Sequence, residues 1–125
     1  MSCLYVFLGG GVGCVLRYLL SSVATWPVSA GQFPLKTFAV NMLGCFLIGL
    51  ISAAFAITGG RAEYKNLLVA GFCGGFTTFS TFSREALDLF NGGAVLVAVA
   101  YVVLSVLVGI ALVAAGYALA SKLVG

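Results

Sequence analysis

Histidine is absent from this chain, and only three of its 125 residues are acidic. Without histidine, the side chain that most often moves protons near neutral pH and ligates metals is missing. Glu63 falls in a polar turn, and Glu85 and Asp88 fall near the end of an apolar segment, so no carboxylate is embedded deep in apolar sequence. A proton-coupled exporter usually needs such a carboxylate to exchange its proton for substrate. An enzyme needs a paired nucleophile and base, and none is recognisable. Cys3, Cys14, Cys45 and Cys73 stand far apart with no CxxC pair, a spacing that suits neither zinc nor a disulfide framework and reads as apolar packing. Charged residues make up 7% of the chain, against about 25% in a soluble domain. The net charge of +3 is small and dispersed, which excludes a nucleic-acid surface.

Apolar sequence is what the chain has in quantity: 62% of residues are hydrophobic and the mean hydropathy is +1.21. Four apolar segments can be drawn, at about 4–23, 37–58, 66–90 and 94–120. Some 20 apolar residues rising ~1.5 Å each cross a hydrocarbon core of ~30 Å. Helices are expected, because lipid offers backbone polar groups no partner, and the alternation of a membrane barrel strand is missing. The N-terminal stretch has no basic region and its apolar run continues past Arg17, so a cleaved signal peptide is not expected. Residues 24–36 carry both prolines, Trp26 and Lys36 and read as an interfacial loop. Residues 59–65 and 91–93 read as tight turns. The expected fold is an all-α membrane protein, one four-helix domain over 1–125 with no linker or second domain.

Charge places little constraint on orientation. Four spans put both termini and the 59–65 turn on one side, with Arg61, Lys65 and Lys122. The other side holds Lys36 and Arg84, joined by Arg17 if it reaches the surface. The positive-inside rule has almost nothing to act on, so an antiparallel dimer of oppositely inserted copies is expected. Size points the same way. Four helices fill their own core, and an ion path in so small a chain belongs at an interface. The small-residue pairs Gly9/Gly13 and Gly71/Gly75 allow close helix approach.

The third segment is written unlike a plain anchor. Residues 71–84 read GFCGGFTTFSTFSR, mixing glycines, five hydroxyls and phenylalanines at intervals of three. Asn41 and the hydroxyls of Thr77, Thr78, Ser80, Thr81 and Ser83 can replace the hydration shell of a small anion without the hold of a fixed charge. Phenylalanine ring edges carry the positive end of the quadrupole. Phe76, Phe79 and Phe82 would share one stripe on a continuous helix, lining a path, facing lipid or simply packing. Gly74 and Gly75 beside two threonines suggest an interruption whose freed carbonyls could face a cation; a close glycine crossing with no ion is the alternative. Arg17 is either an interfacial anchor or a lure for anions.

The stretches GGGVGCVLRY (9–18), TFAVNMLGCFLIG (37–49) and GFCGGFTTFSTFS (71–83) resemble the small bacterial fluoride channels of the Fluc or CrcB family. The resemblance implies an antiparallel, dual-topology homodimer in the bacterial inner membrane, with two pores passing fluoride passively out of the cytoplasm. It implies that Phe79 and Phe82 meet fluoride through their ring edges and that Asn41 donates to it. Ser80, Thr81 and Ser83 form a polar track, Tyr101 and Ser105 take pore-side positions on the fourth helix, and Arg17 belongs to a vestibule. A structural sodium ion, not transported, is implied between subunits on the backbone carbonyls of Gly74 and Thr77, where the third helix is broken near its middle. The competing reading from another class is a small dual-topology exporter of cationic drugs, disfavoured by the missing embedded acid. A non-transporting assembly subunit would have no use for the hydroxyls and phenylalanines.

Overall fold

The computed structural model describes residues 2–23 and 33–124, so all of the 24–36 loop except 33–36 lies outside the described residues. All regular structure among the described residues is helical. Helix α1 spans Ser2–Val23 and α2 spans Leu35–Thr58. The third segment comes in pieces: α3 (Ala62–Lys65), a π-helical stretch (Asn66–Cys73), α4 (Gly74–Phe76) and, after a gap, α5 (Phe79–Asn91). Helix α6 spans Val95–Val124.

Pro34 sits directly before α2, where its missing N–H costs nothing, and its carbonyl accepts from the Phe38 N–H at 3.1 Å. Helix α2 stops at Gly59, which adopts φ 67°, a left-handed cap that a Cβ would strain. Gly93 turns the chain into α6 at φ 86°. Ser2–Leu20, Leu35–Thr58 and Val95–Leu123 are each long and apolar enough to cross a membrane.

Two helix pairs make up the architecture. Helix α1 packs on the π-helical stretch and α4, while α2 packs along α6. Contact between α1 and α2 is slight by comparison. Both pairings rest on glycines whose missing side chains admit a neighbour's backbone. On α1, Gly9 lies against the Leu67 carbonyl and Gly13 against the Phe72 carbonyl. Those glycines are four residues apart and the carbonyls five, so the wider π turn keeps step with an ordinary α turn. Gly71 and Gly75 answer from the other side, against Gly9 and Gly10. The small faces noted in the sequence therefore meet one another within a single chain. In the second pair, Gly49 meets the Val113 carbonyl and Gly116 the Phe46 carbonyl.

The third segment changes partner along its length. Its first part lies on α1; its last part, α5, lies on α6. Ala86 and Leu89 of α5 join Ala98 and Tyr101 of α6 in a buried cluster flanked by Phe33, Phe38 and Phe82. The change of partner happens at two residues, Thr77 and Thr78.

Candidate functional site

Thr77 and Thr78 are extended, with φ/ψ of −88°/159° and −146°/120°. Extended backbone in a helix interrupts the i to i−4 ladder, and in lipid every freed group needs a partner. The sequence supplies several. Thr77 closes the first part twice over, its N–H and its hydroxyl donating to the Cys73 carbonyl at 3.0 and 2.9 Å. Thr78 opens α5 as its N-cap: the Thr81 N–H donates to Thr78 Oγ1 at 3.3 Å, and the two hydroxyls meet at 3.2 Å. Asn41 of α2 clasps the gap itself. Its Nδ2 donates to the Thr78 carbonyl (3.1 Å) and its Oδ1 accepts from the Thr78 N–H (2.9 Å). A side-chain amide matches a peptide group in this way as well as another peptide would. One amide hydrogen of Asn41 remains beyond this pair.

The interruption differs from the one the sequence suggests. Gly74 is helical, with φ −64° and ψ −36°, and Gly75 lies within α4. Gly75 serves the crossing with α1, and the β-branched, hydroxyl-bearing threonines make the break. The break also dissolves the expected three-membered phenylalanine stripe, because Phe76 precedes it. Phe76 is buried at 2% exposure and stacks on Phe72 with ring centroids 5.7 Å apart. Phe79 and Phe82 remain neighbours on α5, centroids 5.9 Å apart. Phe79 is 79% exposed and Phe82 half-buried.

A cavity of about 490 Å³ lies over the break, and Asn41, Gly74, Thr77, Phe79, Phe82 and Ser105 are among the residues that line it. Six of the expected site residues thus share one space. The others stand apart from it. Ser80, Thr81 and Ser83 are exposed on α5. Tyr101 is fully buried behind Phe82, centroids 4.9 Å apart, and its hydroxyl donates to Glu85 Oε1 at 3.4 Å. Arg17 reaches the break from α1, its Nε donating to the Gly75 carbonyl at 3.2 Å.

Gly44 escaped the sequence reading. It sits one turn after Asn41 on α2, and a methyl group there would run into Thr77 Cγ2. Asn41 and Gly44 together form the seat on which the break rests. The signal was present as an Asn-x-x-Gly spacing on one face of a helix.

The break leaves polar backbone ends of both signs. Gly74 C=O has lost the Thr78 N–H, which bonds to Asn41 instead. The helical run before Thr77 ends with carbonyls, and α5 begins with N–H groups. The first end favours a cation and the second an anion. Gly74 and Thr77 both line the cavity, and their carbonyl oxygens are of the kind that coordinate sodium at interrupted helices.

These features define a multi-pass membrane protein built around an interrupted helix. Comparison with known proteins makes the assignment narrower. The chain belongs to the CrcB family, described as "CrcB-like protein, Camphor Resistance (CrcB)", whose profile matches residues 4–117. Among its relatives is the "Fluoride-specific ion channel FluC" of Phocaeicola vulgatus, 45% identical over 109 residues, 87% of this chain and 89% of that protein. The protein of the same description from Serratia proteamaculans is 47% identical over 105 residues, 83% of this chain and 81% of that one. That of Flavobacterium psychrophilum is 41% identical over 120 residues, covering 95% and 96% of the two chains.

Proposed function

We propose that this protein is a fluoride-specific ion channel of the bacterial inner membrane, not an enzyme, and that it lets fluoride leave the cytoplasm passively. The observation that carries this reading is the break clasped by Asn41, with Phe79 and Phe82 immediately after it. At that point a small anion finds the N-terminal dipole of α5, the remaining amide hydrogen of Asn41, the edges of two rings and then the hydroxyls of Ser80, Thr81 and Ser83. Ser105 faces the same space from α6. None of these groups carries a full positive charge, so an ion can be stripped of water and still released. Relatives that are 45% and 47% identical over the aligned residues, and bear the name of fluoride-specific channels, support the choice of ion.

The working unit in this proposal is an antiparallel homodimer, with all four segments, the broken third included, crossing the bilayer in each copy. Phe79, Ser80 and Ser83 lie exposed on α5, and hydroxyls turned towards lipid would be a poor end state for a membrane segment. A second, inverted copy supplies the other wall of each of two pores. The carbonyls of Gly74 and Thr77, repeated by that copy, would hold a structural sodium ion at the centre of the dimer. Bound there, the ion supplies fixed positive charge that ties the two breaks together. Arg17 adds positive charge near the break in a vestibule.

Liposomes loaded with fluoride or chloride test the function directly. Ion-selective electrodes should record rapid fluoride release and no chloride release. Equal release of both ions, or of neither, defeats the proposal.

A further inference from the structure

Arg17 stands apart from the groups lining the cavity, yet from α1 it touches the interruption through a side-chain hydrogen bond. We propose that Arg17 is a positioning residue: its guanidinium caps, from a neighbouring helix, the carbonyl end of the helical run that stops at Thr77. The inference deepens the channel reading and assigns Arg17 a task that membrane anchoring and anion attraction do not include.

The geometry behind it begins with a lost bond. In an unbroken helix the Gly75 carbonyl would accept from the N–H four residues on, at Phe79. With Thr77 and Thr78 extended, that donor no longer lies above it. Arg17 Nε fills the place at 3.2 Å, in a half-buried bond between residues 58 apart in sequence. A carbonyl left bare at membrane depth is costly, and a cation at a helix C-terminus gains from the dipole as well. The reach depends on the glycine crossing. Gly10, Gly13 and Arg17 fall on one side of α1, at i, i+3 and i+7, and the backbones of Gly10 and Gly75 are in close approach. That approach brings the arginine stem within range of a carbonyl on the facing helix.

Capping also selects. Gly75 C=O is occupied, whereas the neighbouring Gly74 C=O has given up its helical donor to Asn41 and borders the cavity with Thr77. Two side chains from two helices thus decide which carbonyls of the break stay available: Asn41 frees one and Arg17 takes the next.

Cys73 reports on this directly, because it lies beside the break and is 1% exposed. The test uses the full chain in detergent with Cys3, Cys14 and Cys45 replaced by alanine, and follows modification of Cys73 by N-ethylmaleimide. Arg17→Ala should speed modification about tenfold, the least that losing a charge-assisted hydrogen bond adds to a local opening. Arg17→Lys keeps the charge but loses the planar fork and should fall between alanine and the parent. Parental rates in Arg17→Ala, or in Arg17→Lys if the alanine variant does not assemble, overturn the proposal. A second readout separates capping from charge. Fluoride release should be slowed in Arg17→Ala by the same factor at low and at high ionic strength, whereas an entrance charge would lose its effect as salt screens it; a defect that vanishes in high salt also counts against the cap. Thiol modification does not depend on fluoride, so it stands even if the channel reading fails.

Discussion

Asn41 is the residue on which the most depends. Its amide takes up both backbone groups of Thr78, and removing it exposes a donor and an acceptor at membrane depth. Asn41→Ala should destabilise the folded protein by about 2–4 kcal/mol, from ~1–3 kcal/mol for each orphaned group with partial relaxation. The shift would be read from a thermal melt in detergent. Asn41→Asp is the sharper variant: it can still accept from the Thr78 N–H but can no longer donate to the Thr78 carbonyl. It should retain part of the stability and lose fluoride flux, measured by electrode. Phe82 tests the other half of the site. Its ring packs on Tyr101 and Phe79, so Phe82→Ile removes the aromatic edge while keeping an apolar side chain. Fluoride release should slow by about tenfold, the upper worth of an aromatic contact, with the dimer intact by size-exclusion chromatography. Unchanged flux would take that ring out of the path.

At the scale of elements, the sequence was legible where its pattern was uniform and misleading where local chemistry changed. Apolar length gave the helices: the expected 37–58 segment begins at Leu35, and 94–120 runs from Val95 to Val124. The third segment was harder because glycine reads as a breaker and threonine does not. In the folded chain Gly75 is the close-packed residue and Thr77 and Thr78 interrupt, since Asn41 and two threonine hydroxyls stand ready to bond the freed backbone. A period of three in the phenylalanines implied one stripe only as long as the helix was continuous. Gly44 was invisible for a related reason, because its value lies in contact with a residue 33 positions away, at Thr77. Packing of this kind yields its own prediction. Gly13→Ala places a methyl group against the Phe72 carbonyl, a backbone atom that cannot swing aside. The substitution should cost about 1–3 kcal/mol, read as a lowered melting temperature. A neutral outcome would mean that α1 and the π-helical stretch separate easily.

The whole molecule presents two glycine-fitted helix pairs joined by one segment that belongs to both. An isolated copy leaves the hydroxyls of Ser80 and Ser83 uncovered, and in the proposed four-span arrangement the positive residues divide too evenly to fix which way it faces. Single cysteines placed in the 59–65 turn of a chain without its own cysteines should be labelled from both sides of the membrane. Labelling from one side alone would remove the inverted partner from the proposal.

The sharing of the third segment between the two pairs has a consequence for the order of assembly. Helix α1 finds its main partner in residues 66–76 and α2 in α6, so neighbours in sequence are not the main neighbours in space. Ribosomes add roughly 5–20 residues per second, so α2 waits on the order of seconds in the bilayer before α6 emerges. In the first part of that interval Asn41 has no partner for its amide, until Thr78 arrives and bonds to it. The last residues to be made then pack along α2 and close the structure around a bond that is already formed.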